Sequence, residues 1–207
     1  MLAVLTVDQR DSRHGRDQVP ALLDRLAGPT APPPPLRPFQ RTAGDEVQAV
    51  LDDAGVTVEN LAVILRTGGW SVGLGIGTVD QPLPDDARAG NGPAYVHARE
   101  AVTRAKSVPH RLGVVGADDY RAEQLETVLW LWAGILERRT PRGWEVHDAL
   151  TAGLSFAEAG RRLGISQSAV SQRAQAAGLV DERRARRLAT DLLAELLSTD
   201  SSEEERL

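Results

Sequence analysis

Cysteine is absent from the 207 residues, which removes disulfide frameworks, thiolate zinc sites and cysteine nucleophiles from consideration and fits a reducing compartment. Long apolar runs are missing too. No stretch approaches the roughly 18 apolar residues of a membrane-spanning helix, and MLAVLTVDQR at the N-terminus has neither the basic start nor the long apolar stretch of a signal peptide. The expectation is a cytoplasmic protein with no membrane partner. Lysine is nearly absent: Lys106 stands against 23 arginines, a bias that fits coding from GC-rich DNA and carries no functional weight. An excess of positive charge is lacking as well, since the formal net charge is -5. Taken over the whole chain, that number points away from nucleic acid.

The length suits one large domain or two small ones. Leu2 to Val7 is a short apolar run stopped by Asp8-Gln9-Arg10-Asp11-Ser12, so it predicts a buried strand ending in a polar loop. Val19, Leu22, Leu23 and Leu26 recur at helical spacing before Gly28-Pro29 and a stiff proline run, Pro32 to Pro35. Phe39 to Thr42 and Val47 to Leu51 flank Ala43-Gly44-Asp45 and predict a hairpin with Asp45 at its tip. A helix over 56–65 follows, broken by Gly68-Gly69. Trp70 to Val79 alternates Gly or Ser with large apolar residues, as expected of a central strand that something approaches closely. A Pro/Asp/Gly-rich loop over 80–92, a helix over 94–107 and a short strand at Val114-Val115 complete residues 1–117. This order predicts an α/β sandwich with an antiparallel hairpin in its sheet.

From about Asp119 onward every periodic segment is helical. A linking helix is expected over 118–140, a helical domain over 141–197, and an acidic, fraying tail over 198–207. Trp130 and Trp132 cannot both face one core. One is expected on the α/β domain and the other on the helical domain or a partner subunit.

The segment SFAEAGRRLGISQSAVSQRAQAAG, residues 155–178, carries the most specific signal. Ser155 and Glu158 have capping-box spacing, and Phe156, Ala159 and Leu163 supply a buried face. Gly164 tolerates a left-handed turn, and Ile165 fills the gap beneath it. Ser166 then caps a second helix whose Ala169 and Val170 face inward while Gln167, Ser168, Ser171, Gln172 and Arg173 point out. The segment resembles the helix-turn-helix of bacterial transcription regulators, in which outward residues of the second helix read base edges. Gln pairs with adenine, Arg with guanine, and Ser with several edges or with phosphate. The resemblance implies double-stranded DNA as partner, with Arg161 and Arg162 as further contacts, and a homodimer on paired half-sites. A helical hairpin with a solvated polar face is the bland alternative.

Charge distribution favours the first reading. Residues 138–187 hold ten Arg against five acids, an island of positive charge of the kind that phosphate contacts require. Arg183-Arg184 and Arg186-Arg187 could also be a solvated helix start paired with Asp181 and Glu182.

In the N-terminal half, Asp8 and Asp45 at adjacent strand ends supply hard oxygen ligands of the type that hold Mg²⁺ against nucleotide phosphates. Asp8 after the first strand, Ala43-Gly44-Asp45-Glu46 in a hairpin, the glycine-rich strand 71–77 and the helix start Gly92-Pro93-Ala94-Tyr95-Val96 resemble, in that order, the class III nucleotidyl cyclase and diguanylate cyclase fold. The resemblance implies a ferredoxin-like, cyclase-like domain over 1–117, metal at Asp8 and Asp45, and a homodimer. It also implies an Asn and an Arg four residues apart on the later helix, where this chain has His97 and Ala101. Without that pair turnover is not expected. Over the whole chain, Val7 to Arg13, Arg41 to Gln48, Gly69 to Gly77 and Ala98 to Ser107 resemble the SatD family of small bacterial proteins with a C-terminal helix-turn-helix.

The joint expectation is an α+β fold and a DNA-binding regulator that requires no cofactor. Mg²⁺ or a nucleotide would act as effector at Asp8, Asp45, Arg10, Arg41 and Gly92, the loop 90–93 being able to close over it. The alternative is a metal-dependent nucleotide enzyme with a helix-turn-helix targeting module. Turn and helix capping is the structural reading of the aspartates. His97 is expected at a surface or interface, and His14, His110 and His147 are isolated, without ligand spacing.

Overall fold

The computed structural model describes residues 1–12, 15–42 and 44–198. Of the tail expected over 198–207, Ser198 is the last residue of a helix and 199–207 lie outside the described residues, as do Arg13, His14 and Ala43. The protein is mixed α+β, with one five-stranded open sheet and eight α-helices among the described residues. It divides into two compact units: Met1–Trp130 with residues from Leu188 on, and Leu131–Arg187.

In the first unit the order is β1 (Leu2–Gln9), α1 (Val19–Ala27), β2 (Arg37–Arg41), β3 (Glu46–Leu51), α2 (Ala54–Thr67), β4 (Trp70–Gly77), α3 (Pro93–Ala105) and β5 (Leu112–Val115), leading into α4 (Asp119–Glu137). The sheet runs β2-β3-β1-β4-β5. β1 is antiparallel to both neighbours, β2 pairs antiparallel with β3, and only the β4 and β5 pair is parallel. The predicted hairpin is therefore β2 and β3, and β1 lies at the sheet's centre because its Ala3, Val4, Leu5 and Val7 are all buried.

Both β4 expectations hold: the strand is interior, and something does approach it closely. A Cβ on Gly73 would lie 2.3 Å from the Val102 nitrogen, and one on Gly75 2.1 Å from the Ala98 nitrogen. α3 answers with buried Ala94, Ala98, Ala101 and Ala105. Glycine on the strand and alanine on the helix let the two backbones meet at a distance that any larger side chain would prevent. Three elements are then tied by one buried carboxylate. Glu126 of α4 accepts the Val114 backbone N–H at 2.7 Å and receives both terminal nitrogens of Arg104 from α3.

The second unit is built on α5 (Pro141–Thr151), α6 (Phe156–Leu163), α7 (Gln167–Ala176) and the first part of α8 (Leu179–Ser198), with the last part of α4. Its core joins Val146, Ala149, Ala159, Val170 and Ala174. Helix α8 starts at Leu179, so the arginine pairs 183–184 and 186–187 lie in its first turns. Trp130 and Trp132 separate as expected. In the first unit the Trp130 indole N–H donates to the Leu112 carbonyl at 2.7 Å, while Trp132 is fully buried in the second, its ring 5.8 Å from the Arg186 guanidinium.

Candidate nucleic-acid interface

The surface formed by α6 and α7 begins with two caps. Ser155 accepts the Glu158 backbone N–H at 3.3 Å, and Glu158 accepts the Ser155 backbone N–H at 2.8 Å, the reciprocal pair that fixes a helix start. The hydrogen bonds from Ser155 hold the Glu158 carboxyl below the usual carboxylate range. Gly164 closes α6 at φ +67°, a left-handed turn that a β-branched residue would strain. Ser166 accepts the Ala169 N–H at 3.1 Å and starts α7. Gly160 is obligatory on other grounds: a Cβ there would stand 2.8 Å from the Ile165 carbonyl.

These constraints leave three residues between α6 and α7 and fix what each helix turns outward. Val170 is fully buried and Ala169 half-buried, whereas Gln167, Ser168, Ser171 and Gln172 are exposed in one row, with Arg173 half-buried beside them. Ser166, Arg161 and Arg162 are exposed too. Part of the Ser166 hydroxyl's capacity is already taken by the cap, and its oxygen lies 3.3 Å from that of Ser168.

Three expectations need correction. Phe156 does not complete the buried face: it is 41% exposed, because the first residue of α6 lies at the mouth of a groove and the core is filled by Ala159 and Gly160. Arg139 is not part of the basic surface, since its side chain is fully buried. Glu182 is not the partner of the Arg183 to Arg187 run. It is buried under Arg139, whose Nη2 donates to its Oε2 at 2.6 Å while Nε donates to the Ala177 carbonyl at 3.0 Å. The guanidinium also stands 4.4 Å from the Trp144 ring centre. Because that pair cancels, the remaining excess of positive charge is carried by residues at or near the surface.

His147 is the residue that sequence reasoning passes over. Its Nε2 lies 3.6 Å from Glu182 and its Nδ1 3.1 Å from Asp148. Burial pushes the Glu182 carboxyl up, but hydrogen bonds from His147 and Arg139 outweigh it and hold the group below its ordinary value. No motif spacing links residues 139, 147 and 182; the side chains of Arg139, ahead of α5, and His147, within it, meet at Glu182 only in the folded unit.

The sites expected in the first unit are placed as follows. Asp8 sits within β1, opposite Glu46 on one side and Ser71 on the other, and its Oδ1 is 3.1 Å from the ammonium of Lys106, the chain's sole lysine. Asp45 is in the adjacent turn, where its carbonyl accepts the Gln9 N–H at 3.0 Å. Arg41 pairs with Asp17 through both carboxylate oxygens and holds that carboxyl below its usual range. Arg10 is exposed, its backbone N–H donating to the Gly69 carbonyl.

Gly92 has φ +116° and packs so tightly that a Cβ would stand 2.8 Å from Val79. Asp80 donates to the Asn91 carbonyl and Ala94 to the Thr78 carbonyl, which pins this loop to the end of β4. His97 is half-buried, with Nδ1 2.7 Å from the Ile76 carbonyl. No cluster of three or more His, Cys, Asp or Glu is arranged to hold a metal among the described residues, and no helix among them is long and apolar enough to cross a membrane.

Comparisons with protein-family models, with curated proteins and with solved structures find no match to this chain.

Proposed function

We propose that this chain is a DNA-binding transcription regulator whose helix-turn-helix spans residues 155–178 and reads the major groove with α7. One observation carries the reading. The exposed row Gln167, Ser168, Ser171 and Gln172, flanked by Arg161, Arg162 and Arg173, stands on a helix whose start is set by the Gly164 turn and the Ser166 cap. Such a row presents donors and acceptors of the kind that pair with base edges, and guanidiniums for phosphate. A homodimer belongs to the reading, because readers of this class bind paired half-sites about one helical turn apart.

The strand order β2-β3-β1-β4 is the one a ferredoxin-like unit requires, and with it we read the first unit as cyclase-like. Within it, the Asp8 carboxylate has a lysine partner and Arg104 is engaged by Glu126. Neither observation favours a nucleotide-processing enzyme, and we assign the unit to dimerisation and regulation.

Selection from a random duplex library by the full chain tests the reading. A two-fold symmetric motif should be enriched, and Gln172→Ala with Arg173→Ala should relax it at defined positions, each good contact carrying about 1–3 kcal/mol of discrimination. Absence of any enriched motif would overturn it.

A further inference from the structure

The second unit holds a groove of about 1010 Å³ between α5, α7 and the start of α8, at the upper end of the roughly 300–1,000 Å³ usual for small-molecule sites. Its floor is the edge of the unit's own core: Ala174 belongs to both, and Leu150, Leu154 and Leu179 line the groove while packing against that core. Phe156 and Val180 stand above them, 41% and 51% exposed. A helical core normally covers two such side chains. Here they face an open space.

The charges bordering that space answer one another. The buried Arg139 and His147 hold Glu182, the Arg186 guanidinium lies 5.8 Å from the Trp132 ring, and Asp181 and Arg183 bring one charge of each sign. An ion entering the groove would exchange water for leucine and phenylalanine side chains and meet no net counter-charge, which is a costly transfer. The remaining polar groups are uncharged: Thr151 of α5, with Ser171 and Gln175 of α7, all exposed. Duplex DNA, charged along its outside, has nothing for such a surface. A second copy using the same groove would set one hollow against another and leave both unfilled.

We propose that this groove binds a small uncharged molecule, an aromatic or alicyclic body carrying one hydroxyl or amide group. The body fills the space beside Leu154, Phe156 and Val180, and its polar group is met by the hydroxyls and the carboxamide of Thr151, Ser171 and Gln175. Ser171 also belongs to the outer row of α7, so the occupant touches the helix assigned to base reading. The inference reaches beyond the DNA assignment, and its test contains no DNA, so the two fail separately.

The uncharged fluorophore N-phenyl-1-naphthylamine is titrated into the full chain, with fluorescence as the readout. Saturable binding at one site is expected, displaced by 4-phenylbutanol at least tenfold better than by the anion 4-phenylbutyrate or the cation 4-phenylbutylamine. Thr151→Trp, a change at an exposed side chain, fills the groove from α5 and should abolish binding. Gln175→Trp does the same from α7, thermal melts confirm that each is folded, and the displacement series depends on neither. No saturable binding, displacement by either ion equal to that by the alcohol, or unchanged binding in a folded filling variant would each overturn the proposal. A filling variant that shifts the oligomeric state in size-exclusion chromatography would assign the groove to a second copy and overturn it as well.

Discussion

Arg139 and Glu182, 43 residues apart in sequence, form a buried ion pair at 2.6 Å, with the remaining guanidinium face on Trp144. A charge enclosed in this way costs far more when its partner is removed than the intact pair contributes. Arg139→Met should therefore destabilise the second unit by about 3–5 kcal/mol. The double variant Arg139→Met with Glu182→Leu should recover most of that loss. Denaturant titration of the single and double variants measures both; a double variant as unstable as the single one would show that the pair is not the source of the cost.

The same carboxylate sets an acid limit. Glu182 is held below its ordinary value of 4.5 by His147 and Arg139, so the folded unit binds its proton less readily than the unfolded chain does. Its contribution is fully present above about 4.5 and is lost as pH falls through the lowered folded value. Thermal melts of wild type and Glu182→Gln between pH 7 and 3 should show a gap in Tm that is constant at the upper end and narrows below 4.5. A gap that does not narrow counts against this origin.

Gly75→Ala addresses the first unit. The new methyl would stand 2.1 Å from the Ala98 nitrogen and 2.3 Å from the Ala94 carbonyl. Both are backbone atoms, so no side chain can swing away and α3 must shift as a body. A loss of about 1–3 kcal/mol is expected. Gly116→Ala, whose nearest neighbour would be 3.5 Å away, should change stability by no more than about 0.5 kcal/mol. Equal effects in chemical denaturation would refute the close-approach argument.

What was legible in the sequence follows from what local chemistry can specify. The order of strands and helices in residues 1–117 is readable because each element carries its own apolar period and ends at Gly, Pro or Asp. The turn between α6 and α7 is readable because Gly164 and Ser166 are demanded by backbone geometry. Arg139 was hidden in a run of arginines, and nothing nearby distinguishes a buried guanidinium from a solvated one. Glu182 occupies a core position of α8, where a charged residue breaks the apolar period and nothing local marks it as buried. Phe156 was assigned inward by periodicity, which registers an apolar face but cannot tell a core from a groove. Lys106 opposite Asp8 needed the end of α3 to be brought beside β1, a long-range relationship that no spacing encodes.

Ser166 allows its two roles to be separated. As the cap of α7 it accepts the Ala169 N–H; as an exposed residue at the helix start it also faces whatever α7 binds. Ser166→Ala removes the cap and should cost about 1 kcal/mol of stability. Ser166→Asp keeps an accepting oxygen at the same place and adds a negative charge near the positive end of the helix, so stability should return to within about 0.5 kcal/mol of wild type. On a polyanion the order inverts. The aspartate introduces like-charge repulsion toward phosphate, so its affinity for a duplex should fall below that of the alanine variant, and more so at low salt, where such repulsion is least screened. Melts combined with fluorescence anisotropy on a labelled duplex at two salt concentrations measure the two orders. If the aspartate variant binds as well as wild type, Ser166 and the start of α7 do not face the DNA, and the docking of this helix must be reassigned.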